Sequence, residues 1–87
     1  MAKKATLPDF ITFPLSLAVW VDAVSNQDWA EVAVHQGKRP VRCATVGFLL
    51  FQDKDCVVLA SSLNDLQHGA DSITIPRACL VSLRRIA

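Results

Sequence analysis

Three groups of residues in this chain carry side chains that could do chemistry. Asp53 and Asp55 are two carboxylates on one short turn. Paired carboxylates can hold a metal or exchange protons. Here Lys54 stands between them and no third ligand is near, so a solvated turn is the expectation. Asp22, Ser25, His35 and His68 supply the residue types of a nucleophile–base–acid triad. No nucleophile elbow or oxyanion loop accompanies them. The three cysteines, Cys43, Cys56 and Cys79, are an odd number and lie far apart, whereas zinc sites use close pairs. Each sits beside apolar, strand-like residues, which points to buried free thiols in a reducing cytosol. Cys79 would be nucleophilic only if exposed beside Arg77. The chemistry-bearing residues therefore predict no enzyme, no catalytic residue, no metal and no cofactor.

The basic residues form a separate set. Lys38, Arg39 and Arg42 cluster at the end of one long polar stretch, Arg84 and Arg85 lie near the C-terminus, and Arg77 follows Pro76. With Lys3 and Lys4 they could line a phosphate-binding face, and the six numbered 38 to 85 are the candidate nucleic-acid contacts. The net charge of the whole chain is only +1, too little for a strong field toward nucleic acid or a membrane surface.

The elements that must position these residues are strands. The run from Ala44 to Leu63 sets two apolar, β-prone segments around the turn Gln52-Asp53-Lys54-Asp55, which reads as a β-hairpin. Its strands are expected over 41–51, bent at Gly47, and 56–63. In the first, Val46, Phe48 and Leu50 point one way and Thr45, Leu49 and Phe51 the other. Before the hairpin, 15–24 alternates as a strand with Leu15, Leu17, Val19 and Val21 on one face and Ser16, Ala18 and Trp20 on the other. That places Trp20 on the outer face, against an arm or at an interface. Residues 25–40 form a long excursion with at most a short helix, capped by Ser25 or Asn26 and stopped by Gly37. Trp29 is expected to anchor it, which makes it an ordered candidate binding loop. After the polar loop 64–71, a short strand over 72–75, one helical turn at Pro76-Arg77-Ala78 and a last strand over 79–86 complete the chain.

Five strands in 87 residues, with the long loop after the first, predict an all-β fold: a small five-stranded antiparallel barrel, SH3-like or Sm-like, with a short helix or helical turn in that loop. Residues 1–14, with two prolines and Phe10, Ile11 and Phe13, form an N-terminal arm, and 15–87 form the single domain. Lys3 and Lys4 precede an apolar stretch, but Pro8, Asp9 and Pro14 interrupt it, which argues against a signal peptide. No run reaches the roughly 18 apolar residues of a membrane span. The hydrophobic fraction, 52%, is high for a chain whose size lets it bury only about 60–65% of its unfolded surface. Some of that apolar surface needs a partner, and the candidate interaction residues are Phe10, Phe13, Trp20, Trp29, Leu49 and Phe51.

A narrower resemblance runs over roughly residues 17 to 86. Trp20-Val21-Asp22, the polar stretch to Trp29, Thr45-Val46-Gly47-Phe48-Leu49, Val57-Val58-Leu59-Ala60-Ser61-Ser62, Ile73-Thr74-Ile75-Pro76-Arg77-Ala78-Cys79-Leu80 and Ser82-Leu83-Arg84 together resemble small bacteriophage and prophage proteins. The resemblance implies a phage-type origin and a barrel. Sm-like barrels more widely form rings and bind single-stranded RNA through a stacking aromatic or histidine, an Asn in a turn, and an Arg-Gly near the last strands. Here Arg77 precedes Ala78, and the Asp53-Lys54-Asp55 turn holds neither Asn nor aromatic. Src-homology-3 domains bind polyproline on an aromatic groove; this chain has no Tyr, and only Trp20 and Trp29 could serve. The expected function is that of a non-enzymatic phage or prophage protein acting through protein–protein contacts, as a homo-oligomer or on a phage or host protein. It would work in the bacterial cytoplasm or the virion, not secreted and not in a membrane. The alternative is an Sm-like single-stranded nucleic-acid binder.

Overall fold

A computed structural model describes residues 6–87; Lys3 and Lys4 lie outside the described residues. Five strands follow one another as β1 (Leu15–Asp22), β2 (Val41–Gln52), β3 (Cys56–Leu63), β4 (Gly69–Pro76) and β5 (Leu80–Arg85). A single helical turn, α1 (Val32–Gln36), interrupts the long β1–β2 connection, and a 3-10 turn, Arg77–Cys79, joins β4 to β5. The strands make one antiparallel sheet in the order β4-β3-β2-β1-β5.

That order and the shortness of the last connection dictate the curvature. β4 and β5 are the two edges of the sheet, yet three residues link them. Five strands about 4.8 Å apart would put the edges of a flat sheet about 19 Å from each other. A 3-10 turn advances only about 2 Å per residue. The sheet must therefore curl until its edges approach. Among the described residues no ladder joins β4 to β5.

The interior of the curl is narrow, and the register shows what fills it. Ser16 is 1% exposed and Ala18 0%, while Leu15, Leu17 and Val19 are only half-buried. The small residues of β1 thus face inward and its large aliphatic residues face out. Ser16 lies opposite Gly47, and Ala18 opposite Thr45. A Cβ on Gly47 would come within 3.0 Å of the Ala60 carbonyl oxygen and 3.1 Å of Leu59 Cβ, so bare backbone is needed where β2 lies close against its neighbour β3. The space that these small residues leave is taken by Val57 and Leu59 of β3 and Ile75 of β4, with Ile73, Leu80 and Leu83 packed against them. Trp20 belongs to this inner set, not to the outer face: its ring packs on the core and its indole N–H donates to Thr45 Oγ1 at 3.0 Å.

The elements differ from expectation in several places: β1 ends at Asp22 rather than 24, β5 spans Leu80–Arg85 rather than 79–86, and the larger differences are in β4 and β2. β4 begins at Gly69 because its edge backbone pairs with β3 from Leu63↔Gly69 onward, absorbing a positive φ of 55° at Asp71. In β2 the irregularity against β3 falls between Leu49 and Phe51, not at Gly47. This bulge turns Phe51 to the side opposite Leu49. Leu49 packs on the core with Leu59 across from it, whereas Phe51 lies across from Val58 and is 53% exposed.

Candidate functional site

The β1–β2 connection projects from the sheet. Its base is closed by the pair Asp22↔Val41. From Gln27 to Arg42 every residue is exposed, and Trp29 is fully so. Trp29 therefore anchors nothing on its own chain, and α1 has no buried residue. The segment holds its shape through local bonds. Asn26 Oδ1 accepts from Asp28 N at 3.0 Å, the Val34 N–H reaches Glu31 O at 2.9 Å, and the Arg39 guanidinium donates to the carbonyls of Gln36 and Lys38. Gly37 ends α1 at φ −78°, in an ordinary right-handed conformation. Asn26 caps an Asx turn rather than the helix, which starts at Val32 without a side-chain cap.

The projecting segment and the N-terminal arm both enlarge the dimensions of the molecule. A compact chain of this length has a radius of gyration of about 12 Å, against 17.0 Å here. Its accessible surface, 6760 Å², exceeds by about 1,700 Å² that of a compact chain of the same mass.

A second uncovered surface is the outer face of the β5–β1–β2 part of the sheet. The pairs Leu15↔Phe48, Leu17↔Val46 and Leu17↔Arg84 bring the large residues of β1 beside those of β2 and β5. Ile86 extends the row, its N–H donating to Leu15 O at 2.8 Å. Val46 is 52% exposed and Ile86 42%. The alternation of Leu15, Leu17 and Val19 was legible in the sequence; that this stripe faces outward was not.

The remaining candidate interaction residues divide. Phe10 is exposed and Phe13 half-buried, on an arm held by Gln67 Nε2 donating to Phe10 O and by the Leu49 N–H donating to Pro14 O. Gln67 adopts a φ of 63° in the β3–β4 loop, where Asn64 Oδ1 accepts from the N–H groups of Leu66 and His68. The basic residues do not form one stripe. Arg77 is already engaged, its Nε donating to Asp53 O and its terminal nitrogen to Gln52 Oε1, both at 2.8 Å. Arg84 and Arg85 alternate on opposite faces of β5, across from Leu17 and Ser16. Arg42 sits across from Val21, and Lys38 and Arg39 ride on the projecting segment.

The acidic turn does structural work. Asp53 Oδ1 accepts from the N–H groups of Asp55 at 2.8 Å and Cys56 at 2.9 Å. The Cys56 bond, then the Asp55 bond, lowers the Asp53 pKa, with the Arg77 charge adding to the effect. Desolvation, then the Asp53 charge, raises that of the Cys56 thiol, which keeps it protonated and unreactive at neutral pH. All three cysteines are free and half-buried. Among the described residues no group of three metal-binding side chains converges, and no helix is long and apolar enough to cross a membrane. Asp22, Ser25, His35 and His68 are not joined by any hydrogen bond among the described residues.

No protein-family model, curated protein or solved structure matches this chain.

Proposed function

We propose that this chain is a non-enzymatic protein that works through protein–protein contact and self-associates, built on a small SH3-like or Sm-like barrel of bacteriophage or prophage type. The observation that carries the reading is the segment 23–40, which holds a fully exposed Trp29 away from the sheet. Tryptophan contributes a large apolar area and is enriched at the energetic centres of interfaces. A small domain gains nothing for its own stability by leaving one in water. The outer row of Leu17, Val19 and Val46 adds a second, partly exposed apolar surface, open chiefly at Val46. Binding of nucleic acid has less support, since Arg77 is tied to the β2–β3 turn and the other basic residues are dispersed.

Solution mass tests the reading. Sedimentation velocity and light scattering on the full chain should give a multiple of its 9.5 kDa at micromolar concentration. A strict monomer throughout that range, with no retained partner, overturns it.

A further inference from the structure

We infer that the Trp29 segment of one copy docks on the outer face of the β5–β1–β2 sheet of the next, so that copies join head to tail. The inference rests on the self-association proposed above and adds which surfaces meet. Both halves of such a junction are present in one chain. The donor is the projecting segment, which exposes Trp29, Val32 and Val34. The acceptor is the outer row of Leu15, Leu17, Val19, Val46, Phe48 and Ile86.

The donor does not cover this row on its own chain. Every residue from Gln27 to Arg42 stays exposed, and the segment leaves the sheet at Asp22↔Val41, the end of the β1–β2 ladder remote from Leu15 and Phe48. Charge favours a second copy as the occupant. Asp28 and Glu31 flank Trp29 on the donor, whose Lys38 and Arg39 lie farther along the segment, while Arg84 and Arg42 lie on the acceptor face beside Leu17 and Val21. Joined head to tail rather than by reciprocal exchange between two copies, the contact is heterologous, and repeating it makes a ring or an open filament.

The test uses two variants with complementary defects. Trp29→Ser removes the donor and leaves the acceptor intact. Val46→Glu places a charge in the acceptor and leaves the donor intact. Ile86→Glu, at the end of the row, is a second acceptor variant in case Val46→Glu disturbs folding, which circular dichroism reports. Each variant alone should raise the dissociation constant about thirtyfold or more, the effect of losing an aromatic anchor worth about 2 kcal/mol. A 1:1 mixture of the donor and acceptor variants should form a dimer of one of each and nothing larger, because only one intact junction remains. If the wild type assembles but Trp29→Ser assembles equally well, or the mixture stays monomeric, the head-to-tail junction is wrong while self-association stands. A monomeric wild type removes both.

Discussion

Replacing Gly47 with alanine should destabilise the fold, although a glycine-to-alanine change at a compatible backbone ordinarily helps. The ordinary gain is about 0.4–1 kcal/mol, from the reduced freedom of the unfolded chain. Gly47 has no positive φ, so conformation alone predicts that gain. Packing reverses it. The new Cβ would lie 3.0 Å from the Ala60 carbonyl oxygen and 3.1 Å from Leu59 Cβ. Neither neighbour can yield cheaply. Ala60 is held on both sides, across from Phe48 in β2 and Ser72 in β4, and Leu59 is fully packed in the core. Overpacking of this kind costs about 1–3 kcal/mol, which leaves a net loss of about 1–2 kcal/mol. A chain of this length has roughly 4–13 kcal/mol in total. At about 4–8 °C per kcal/mol, the Tm should fall by about 5–15 °C. Gly37→Ala is the control: its Cβ would meet the carbonyls of Ala33 and Val34 at an ordinary 3.6 Å, and the Tm should hold. Thermal melts followed by circular dichroism decide the matter. A Gly47→Ala protein that melts at or above the wild type would refute the close approach of β2 to β3 at Gly47.

Two further outcomes follow from the link between the hairpin turn and the 3-10 turn. Arg77→Ala removes both bonds to the Gln52–Asp53 segment and should lower stability by about 1–2 kcal/mol in urea melts, and Arg77→Lys should not restore it, because an ammonium cannot span the two acceptors as the guanidinium fork does. The Asp53 carboxylate has a folded pKa below its unfolded value, so its contribution is complete above the ordinary carboxylate range and is lost as the pH falls through the lowered folded pKa; the protection factors of the Asp55 and Cys56 amides in hydrogen exchange, taken relative to the intrinsic rate at each pH, should fall over that acidic window in the wild type, and should already be low at neutral pH in Asp53→Ala.

The sequence made the hairpin legible because its signals are local. Two apolar runs, a polar turn and a strand-breaking proline after β4 are each read from neighbouring residues, and 56–63 coincides with β3. What failed were statements about which way a side chain faces. Alternation in β1 fixes a period of two and nothing more. The usual assignment, large residues inward, fails because the interior of so small a curl has room for Ser16 and Ala18 against Gly47 and Thr45, but not for four large aliphatic residues. Phe51 changes face through a bulge at Leu50, where no Gly or Pro marks it. Trp29 invites the assumption that a tryptophan in a loop must be an anchor. Its placement depends on the absence of any apolar receptor within reach on its own chain, and no local pattern reports that. The acidic turn is solvent-exposed, as expected, but its hydrogen bonding to the Asp55 and Cys56 amides was not foreseen.

The inverted face of β1 separates what folds the chain from what it can bind. Fold stability falls to a small inner set, Ala18, Val57, Leu59 and Ile75, with Trp20 and Leu83 against it. These side chains are hidden and cannot contribute to recognition. The Trp29 segment adds little to the fold, because it buries little within the chain, and the outer aliphatic row is left partly exposed at Val46 and Ile86. Had the large residues of β1 faced inward, the curl would have been overfilled and the outside of the sheet would carry only Ser16, Ala18 and a lone Trp20. Small residues inside thus allow tight curvature and, by the strict alternation of a strand, place large residues outside. A surface formed in this way is continuous across three strands and as rigid as the sheet, so a partner that covers it loses little in ordering the receptor. In the proposed junction the ordering cost falls on the Trp29 segment, which already holds an Asx turn and one helical turn.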